Sequence, residues 1–320
     1  MRIGVVVIGR NEGERLRRCL LSLRATTEAM VYVDSGSSDG STRLASDIGA
    51  HVVELDLSQP FTAARARNAG FARLMEVSPK LDGVQFVDGD CEIVPGWMEA
   101  ASRFLRVSPA YAVVCGRRRE RYPERSVYNR LCDEEWDTPV GDARSCGGDA
   151  LMRTSAFTAV GGYRDDLIAG EEPELCLRLR QAGWKIYRLP EEMTLHDAAI
   201  YRFGQWWKRS MRSGHAYGEG SWLHGASAER HWVAETRRAL MWGTGIPVLI
   251  ATASLLLSPW CLLLLAVYPL QLLRVWLTTG SLTTSWFLLL SKFAESLGIV
   301  QFHWARLLGQ RKQIIEYKTP

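Results

Sequence analysis

Two aspartates separated by one glycine have the spacing in this sequence that most directly suggests chemistry. Asp88 and Asp90 flank Gly89, and they come directly after the apolar run Val84–Val87. Two carboxylates one residue apart at the end of a strand can converge on one divalent cation, which can also bridge the phosphates of a diphosphate leaving group. A solvated turn is the alternative interpretation. The position at the end of a buried strand favours a metal site.

A loop of small residues follows the apolar run Met30–Val33. It holds Asp34, Ser37 and Asp39 among glycines and further serines. Such a loop lets a flat base or a ribose approach the backbone, and its carboxylates can accept hydrogen bonds from ring N–H groups and sugar hydroxyls. Asp39 can also cap a helix that is predicted to start near Ser41, and the two roles are compatible. We therefore expect this loop to bind a nucleoside.

These polar segments need strands that bring them to one edge of a sheet. The runs Ile3–Ile8, Met30–Val33 and Val84–Val87 each end in turn-forming residues, which is typical of buried parallel strands. Helical patterns lie between the runs, over residues 16–23 and residues 63–75. This alternation predicts an α/β fold. Open sheets of this class bind ligands beyond the carboxyl ends of their strands, where the aspartates fall.

Charge and composition divide the chain into two parts. Residues 1–199 carry a net charge of −4, whereas residues 200–320 carry +8 and nine of the twelve tryptophans. An acidic part suits a site for cations, and a basic, Trp-rich part suits a surface that faces phosphates or anionic lipid headgroups. The seven cysteines form no CxxC pair and no closely spaced framework, which disfavours a zinc ribbon and a disulfide scaffold. We expect reduced thiols and, without a signal-peptide pattern, a cytoplasmic N-terminal part.

An uncharged segment lies in the basic part of the chain. Ala239–Leu273 contains no Asp, Glu, Lys or Arg, and prolines interrupt it. We predict a hydrophobic helical hairpin over residues 239–277 that turns near Pro259 and attaches the chain to membrane lipids. A re-entrant or interfacial hairpin and a buried pair of core helices are the alternatives. Residues 281–320 are predicted to form an amphipathic interfacial helix and a basic tail.

Five motifs occur in the order found in family 2 glycosyltransferases, and the sequence resembles that family over about residues 1–215. The motifs are Val6–Glu12, the Asp34 loop, Ala66–Gly70, Asp88–Asp90 and Gly170–Leu179. The resemblance implies the GT-A fold with a Rossmann-like mixed sheet, a nucleotide-sugar donor and inversion at the anomeric carbon. We accordingly predict a GT-A domain over residues 1–215, followed by a basic and aromatic connector over residues 216–238.

The resemblance also implies which residues bind the donor and its cation. The candidates for donor contacts are Ile8, Arg10, Glu12, Asp34, Ser37, Asp39, Arg67, Asn68 and Asp88. Arg67 suits phosphate because a guanidinium offers two donors in a fork, although a helix-surface arginine is the alternative. Asp88 and Asp90 would bind the divalent metal, Mn²⁺ or Mg²⁺. His196, which follows the predicted strand Ile186–Leu189, would complete the shell if it is not structural, and an imidazole suits Mn²⁺ better than Mg²⁺.

An acidic segment marks the position of the family's general base. The family commonly has a Glu-Asp pair there, whereas this chain has Glu171 and Glu172. An inverting transfer needs one carboxylate to take the proton of the acceptor hydroxyl. We predict that Glu172 is this base, with Glu171 or Glu174 as alternatives, and a helix start would also favour acids here. Asp149, in a segment that resembles the acceptor-side strand, would hold donor or acceptor hydroxyls.

Two basic segments have open interpretations. Arg117–Arg119 could meet an anionic acceptor or form a solvated loop. Gln205–Arg209 loosely resembles the Gln-x-x-Arg-Trp element of membrane polysaccharide synthases, and an interfacial helix is the alternative.

Together these features predict an α/β, metal-dependent inverting glycosyltransferase at the cytoplasmic face of a membrane. It would move a sugar from a UDP- or GDP-sugar to a hydroxyl of a glycan or lipid-linked acceptor, in envelope or exopolysaccharide synthesis. No nucleic-acid partner is expected. A nucleotidyltransferase and a catalytically inactive nucleotide-binding scaffold subunit are the alternatives. The first would need a triphosphate-binding loop rich in glycine and lysine after the first strand, and Gly9–Glu12 is not one.

Overall fold

The structure is a computed structural model that describes residues 1–309 and residue 315. The chain forms two compact units, one over Met1–Tyr201 and a second that starts at Arg202. The predicted boundary after residue 215 falls inside the first helix of the second unit, Phe203–His224.

The first unit is built on a mixed sheet. Its strands are β1 (Ile3–Gly9), β2 (Ala29–Asp34), β3 (His51–Glu54), β4 (Gly83–Asp88), β5 (Cys91–Ile93), β6 (Tyr111–Glu120), β7 (Gly141–Ala143), β8 (Ala150–Arg153) and β9 (Lys185–His196). Within the described residues the order is β3-β2-β1-β4-β8-β6-β9-β5, and β7 pairs with β9. The first four strands in this order run parallel, and β8 is antiparallel to both of its neighbours. The predicted α/β class is confirmed.

Seven helices accompany the sheet in the described part of this unit. They are α1 (Glu14–Leu23), α2 (Ser41–Ile48), α3 (Ala63–Val77), α4 (Trp97–Val107), α5 (Val127–Glu135), α6 (Thr154–Ala159) and α7 (Glu171–Gln181). Helix α3 lies unusually close to the sheet at Gly70, where a Cβ would come within 2.4 Å of Val6 Cγ1 and 2.8 Å of Val33 Cγ2. Glycine therefore allows the close packing of α3, the helix that carries Arg67.

The register of the parallel strands collects their polar ends at one edge. Asp88 pairs with Ile8, and Asp34 pairs with the next residue of β1, Gly9. The valines that precede these ends in β1 have no exposed surface. Burial of the apolar runs on both faces thus fixes where the aspartates emerge.

Three local expectations are corrected. His196 does not follow a strand that ends near residue 189, because β9 continues to His196 through its pairing with β5 and β6. Cys146–Asp149 form a loop before β8 rather than part of the strand. Arg117–Arg119 lie in β6, not in a solvated loop, because this strand pairs with β9 along its whole second half.

The second unit is helical in its described residues. It contains α8 (Phe203–His224), α9 (Val233–Leu240), α10 (Ile246–Leu256), α11 (Val267–Thr279) and α12 (Leu282–Leu307), with a π-helical turn at Met241–Gly245 and a 3₁₀ helix at Pro259–Ala266. Helices α8 and α12 touch backbone to backbone, since a Cβ on Gly214 would lie 2.0 Å from the carbonyl oxygen of Glu295 and one on Gly298 would lie 2.0 Å from that of Met211. Small residues at both positions make this packing possible.

Two stretches of the second unit are long and apolar enough to cross a membrane, judged by length and composition. They are Val233–Leu256 and Pro259–Thr279. Few residues of the first and none of the second are buried within the structure. Leu257 and Ser258 separate them, next to the predicted turn at Pro259. The predicted helical, apolar character of this region is confirmed, and the alternative of buried core helices does not fit this exposure.

Candidate active site

The loops after β1 and β2 are joined by hydrogen bonds. The Asn11 backbone N–H donates to Ser37 Oγ at 2.9 Å, and the Ser38 N–H donates to Asn11 Oδ1 at 2.8 Å. The Gly13 N–H donates to Asp39 Oδ2 at 3.0 Å. The two loops predicted to contact the donor therefore form one continuous surface.

The aspartates of the second loop also shape its backbone. Asp34 is buried and accepts hydrogen bonds from the N–H groups of Gly36 and Ser37 at 2.9 and 2.7 Å. Asp39 Oδ1 accepts from the backbone N–H of Ser41, the first residue of α2, at 3.0 Å. The N-cap position is Gly40, so Asp39 lies one residue before it and satisfies the first backbone N–H of α2 from there.

Three further donor candidates surround the end of β1. Ile8 is buried, and Arg10 is exposed. Glu12 pairs with Arg15 at 2.8 Å, and its Cγ lies 3.4 Å from the position that a Cβ on Gly89 would take. The carboxylate-bearing side chain of Glu12 therefore lies against the Asp88–Asp90 turn.

Arg67 connects the aspartate pair to the acidic start of α7. Its side chain is only 3% exposed, and Nη2 lies 2.8 Å from Asp88 Oδ1. Nη1 lies 2.9 Å from Oε1 of both Glu171 and Glu172. Burial acts to raise the pKa of Asp88, but the guanidinium groups of Arg67 and Arg118 outweigh it and hold that pKa below its ordinary value. One buried cation therefore orders three of the predicted site carboxylates.

Asn68, the neighbour of Arg67, anchors the chain before α7. Its Nδ2 donates to the Tyr163 carbonyl at 2.8 Å and to Asp165 Oδ1 at 2.6 Å. Its Oδ1 accepts from the Tyr163 N–H at 3.0 Å. These bonds use both ends of the amide, so the structure places Asn68 in support of the segment that leads to Glu171.

The three glutamates at the start of α7 have different surroundings. Glu174 is 1% exposed and pairs with Arg178 at 2.8 Å, one helical turn away. Glu172 keeps 14% of its side chain exposed. Burial, followed by the charge of Glu171, raises the pKa of Glu172 to about 7, with Arg67 acting in the opposite direction. Glu172 is therefore the carboxylate of the three that is suited to exchange a proton near neutral pH.

Asp149 lies behind Asp88 and has no exposed surface. Its Oδ1 accepts from the Asp88 backbone N–H at 3.0 Å, and its Oδ2 accepts from Thr194 Oγ1 at 2.8 Å. Arg118 Nη2 lies 2.8 Å from the same Oδ2. Asp149 thus fixes the end of β4, and its predicted contact with sugar hydroxyls stays a prediction.

Arg118 belongs to this cluster, but sequence reasoning assigned it no separate role. It also lies 3.5 Å from Asp88 Oδ2. Its neighbours point elsewhere, since Arg117 pairs with Asp133 at 3.3 Å. Alternation of side chains along a strand would send Arg118 to the face opposite Arg117, but a register irregularity between these two residues obscures this signal in the sequence.

Asp90 and His196 form a separate pair beside the arginine cluster. Asp90 Oδ2 lies 3.3 Å from His196 Nε2, and both residues are buried. His196 Nδ1 lies 3.7 Å from Glu120 Oε2, and Cys91 Sγ is within reach of the Asp90 and His196 ligand atoms. A carboxylate behind the second ring nitrogen is the usual support for a metal-binding histidine, and the carboxylate and imidazole donors fit Mn²⁺. The structure brings Asp90 and His196 together and places Asp88 with the arginines.

This fold and this site define a glycosyltransferase domain of the GT-A class. Residues 4–159 match the family model of glycosyl transferase family 2. The predicted family, fold and enzyme class are confirmed.

Curated relatives agree with this assignment. The chain is 29% identical over 212 residues to a pre-mycofactocin glycosyltransferase of Mycobacterium tuberculosis, which covers 61% of this chain and 42% of the relative. It is 22% identical over 215 residues to an O-antigen chain rhamnosyltransferase of Salmonella typhimurium, covering 62% of this chain and 67% of that one. The chain thus spans about two fifths of the length of the first of these relatives.

Solved structures show the same fold. A mannosyltransferase from Pyrobaculum calidifontis, in complex with GDP-Man and Mn²⁺, superposes with a TM-score of 0.65 over 95% of this chain and 88% of that one, at 18% identity. S. aureus TarS 1-349 gives a TM-score of 0.54 over 97% and 92% of the two chains, at 13% identity.

Proposed function

We propose that the first unit transfers a sugar from a nucleotide-diphosphate donor to an acceptor hydroxyl, with inversion and with Glu172 as the base. The observation that carries this proposal is the position of Arg67, which contacts Asp88 at 2.8 Å and Glu172 at 2.9 Å. The same guanidinium thus adjoins the predicted diphosphate side and the predicted acceptor side of the site. This is the juxtaposition that a direct displacement needs.

In this displacement one bond forms as another breaks. The acceptor oxygen bonds to the anomeric carbon while the bond from that carbon to the diphosphate oxygen breaks, and the acceptor proton passes to a carboxylate oxygen of Glu172. A pKa of about 7 leaves a large share of Glu172 deprotonated at neutral pH while keeping it basic enough to take the proton. Arg67 stabilises the negative charge that develops on the leaving diphosphate.

We also propose that the reaction uses a divalent cation. Asp90 and His196 would hold it, with Asp88 as the further carboxylate of the pair. A bound cation of this kind neutralises charge on a diphosphate leaving group. The imidazole donor favours Mn²⁺ over Mg²⁺, and the similar mannosyltransferase was solved with GDP-Man and Mn²⁺.

The acceptor is proposed to be a glycan or a lipid-linked glycan at the cytoplasmic face of a membrane. The exposed apolar stretches Val233–Leu256 and Pro259–Thr279 support attachment to lipid, because each apolar side chain removed from water contributes roughly 1.5–3 kcal/mol. Similarity to an O-antigen chain rhamnosyltransferase supports an envelope polysaccharide acceptor.

A donor panel tests the proposal. The purified chain with Mn²⁺ is incubated with UDP- and GDP-sugars, and release of the nucleoside diphosphate is measured for the wild type, Asp90→Asn and Glu172→Gln. At least one donor should be turned over by the wild type, and Asp90→Asn should abolish turnover. If no donor is consumed, the transferase proposal fails. Turnover of nucleoside triphosphates with sugar phosphates would instead establish a nucleotidyltransferase, and nucleotide binding without turnover would establish a scaffold.

A further inference from the structure

Arg118 has no part in the reaction described above, although it lies beside Asp88. Its Nη2 is 2.8 Å from Asp149 Oδ2 and 3.5 Å from Asp88 Oδ2, and 15% of its side chain is exposed. Asp149 is fully buried and held by Thr194 and the Asp88 backbone, so it cannot move away from its partners without breaking them. The buried carboxylate therefore fixes Arg118 in place.

The aromatic ring of Trp136 restrains Arg118 further. The guanidinium carbon lies 5.5 Å from the centre of the Trp136 ring, within the range of a cation–π contact. The same ring packs edge-on against His196, with ring centres 4.8 Å apart. Arg118 thus has an electrostatic anchor in Asp149 and an aromatic anchor in Trp136.

Arg67 and Arg118 hold the two oxygens of one carboxylate. Arg67 Nη2 lies 2.8 Å from Asp88 Oδ1, and Arg118 Nη2 lies 3.5 Å from Asp88 Oδ2. A guanidinium has five N–H donors, more than these carboxylate contacts use. Two fixed guanidinium groups around one point are well suited to bind a phosphoryl group, which presents several acceptor oxygens.

Gly148 lets the backbone lie close to both arginines. A Cβ on Gly148 would lie 2.8 Å from Arg67 Nη2 and 3.3 Å from Arg118 Nη2, so these two nitrogens are at most about 6 Å apart, the distance at which both can reach one phosphoryl group. The same Cβ would lie 2.7 Å from Asp88 Oδ2, so the space beside Gly148 is filled. The preceding residue, Gly147, is exposed, and a Cβ there would meet only Arg118 Nη2, at 4.0 Å. The open approach to the two guanidinium groups is therefore on the Gly147 side.

We propose that Arg118 and Arg67 together bind a phosphoryl group that approaches them from the exposed side of Gly147. This inference rests on the proposed function and extends it by adding Arg118 to the ligand-binding residues. The group belongs either to the diphosphate of the nucleotide donor or to a phosphorylated acceptor, and both sources have the same chemistry.

Calorimetric titration of the full chain with Mn²⁺ tests the proposal. The ligands are UDP, GDP, the matching monophosphates, inorganic pyrophosphate and farnesyl phosphate. Arg118→Gln should weaken binding of the diphosphates about ten- to hundredfold, the size of a lost charge-assisted hydrogen bond, while the monophosphates change less than about threefold. If Arg118→Gln instead loses only the binding of farnesyl phosphate, the site is assigned to a phosphorylated acceptor.

A second variant covers the case in which Arg118→Gln does not fold because Asp149 loses its partner. Gly147→Asp adds a carboxylate on the exposed side of Arg118 and leaves Asp149 untouched, and Gly147→Asn is its uncharged control. Gly147→Asp should weaken binding of the same ligand clearly more than Gly147→Asn, since the two side chains have the same size and differ in charge. If Arg118→Gln and Gly147→Asp both bind every phosphorylated ligand with wild-type affinity, the inference is overturned. If the wild type does not bind nucleoside diphosphates, the proposed function is refuted instead. The affinities of the wild type and the variants for pyrophosphate and farnesyl phosphate would then still decide the role of Arg118.

Discussion

Replacing Glu171 with glutamine should shift the acid limb of the pH–rate profile to lower pH. Glu171 and Glu172 each place an oxygen 2.9 Å from Arg67 Nη1, so these oxygens are at most twice that distance, about 5.8 Å, apart. At that separation two unit charges repel by about 0.7 kcal/mol at a dielectric constant of about 80 and by about 3 kcal/mol at about 20. A free-energy difference of about 1.36 kcal/mol corresponds to one pKa unit. Removing the charge of Glu171 should therefore lower the pKa of Glu172 by roughly 0.5 to 2 units.

The sign of the shift follows from the role of Glu172. The deprotonated carboxylate is the active form, so the rate rises with pH through its pKa, which lies at about 7 in the wild type. In Glu171→Gln the midpoint should fall to roughly pH 5–6.5. Release of Arg67 from Glu171 acts in the same direction, because Arg67 lowers the pKa of Glu172.

The assay is kcat/KM for the best donor and acceptor from pH 5 to pH 9, with Glu172→Gln as the control. Glu172→Gln should lose the acid limb together with nearly all activity. An acid limb that stays in place in Glu171→Gln, or that persists in Glu172→Gln, would refute the assignment of the base.

Three further predictions concern other contacts. Gly148→Ala should reduce kcat/KM at least about tenfold, because its Cβ would lie 2.7 Å from Asp88 Oδ2 and 2.8 Å from Arg67 Nη2. Gly147→Ala should have little effect. Equal values of kcat/KM for the two variants would contradict this. His196→Gln should raise the Mn²⁺ concentration for half-maximal rate about tenfold or more, and an unchanged metal titration would exclude His196 as a ligand. Arg178→Met should destabilise the fold by about 3 kcal/mol in urea unfolding, since it removes the arginine that pairs with the buried Glu174 carboxylate; a change below about 1 kcal/mol would contradict that role.

The strands that carry the site could be predicted because their runs are largely apolar and end abruptly in polar residues. Burial on both faces of the sheet requires such runs, so the positions of Asp34 and Asp88 at strand ends follow from the sequence pattern. The start of α7 could also be predicted from the sequence, since acidic residues after a glycine are typical of a helix N-terminus.

The cluster behind Asp88 could not be predicted in the same way. Arg118 comes from β6, Thr194 from β9 and Asp149 from the loop before β8. These segments lie far apart in the sequence. The pairing of β6 with β9 has irregularities at Cys115/Arg117 and Arg117/Arg118, and these prevent a safe assignment of faces from alternation. Only the assembled sheet shows that Arg118 faces Asp88.

The second unit shows a similar limit. Its apolar composition predicts helices, and the turn near Pro259 follows from the prolines. The close approach of α8 and α12 at Gly214 and Gly298 depends on which helix faces meet, and composition does not contain that information.

The central claim is that the end of β4 and β9 form a metal–diphosphate site. Anomalous diffraction from crystals grown with MnCl₂ and a nucleoside diphosphate tests it most directly. One strong manganese peak is expected within bonding distance of Asp90 and His196, with the diphosphate beside Arg67. A manganese peak elsewhere, or a nucleotide bound without manganese and away from Asp88, would contradict it.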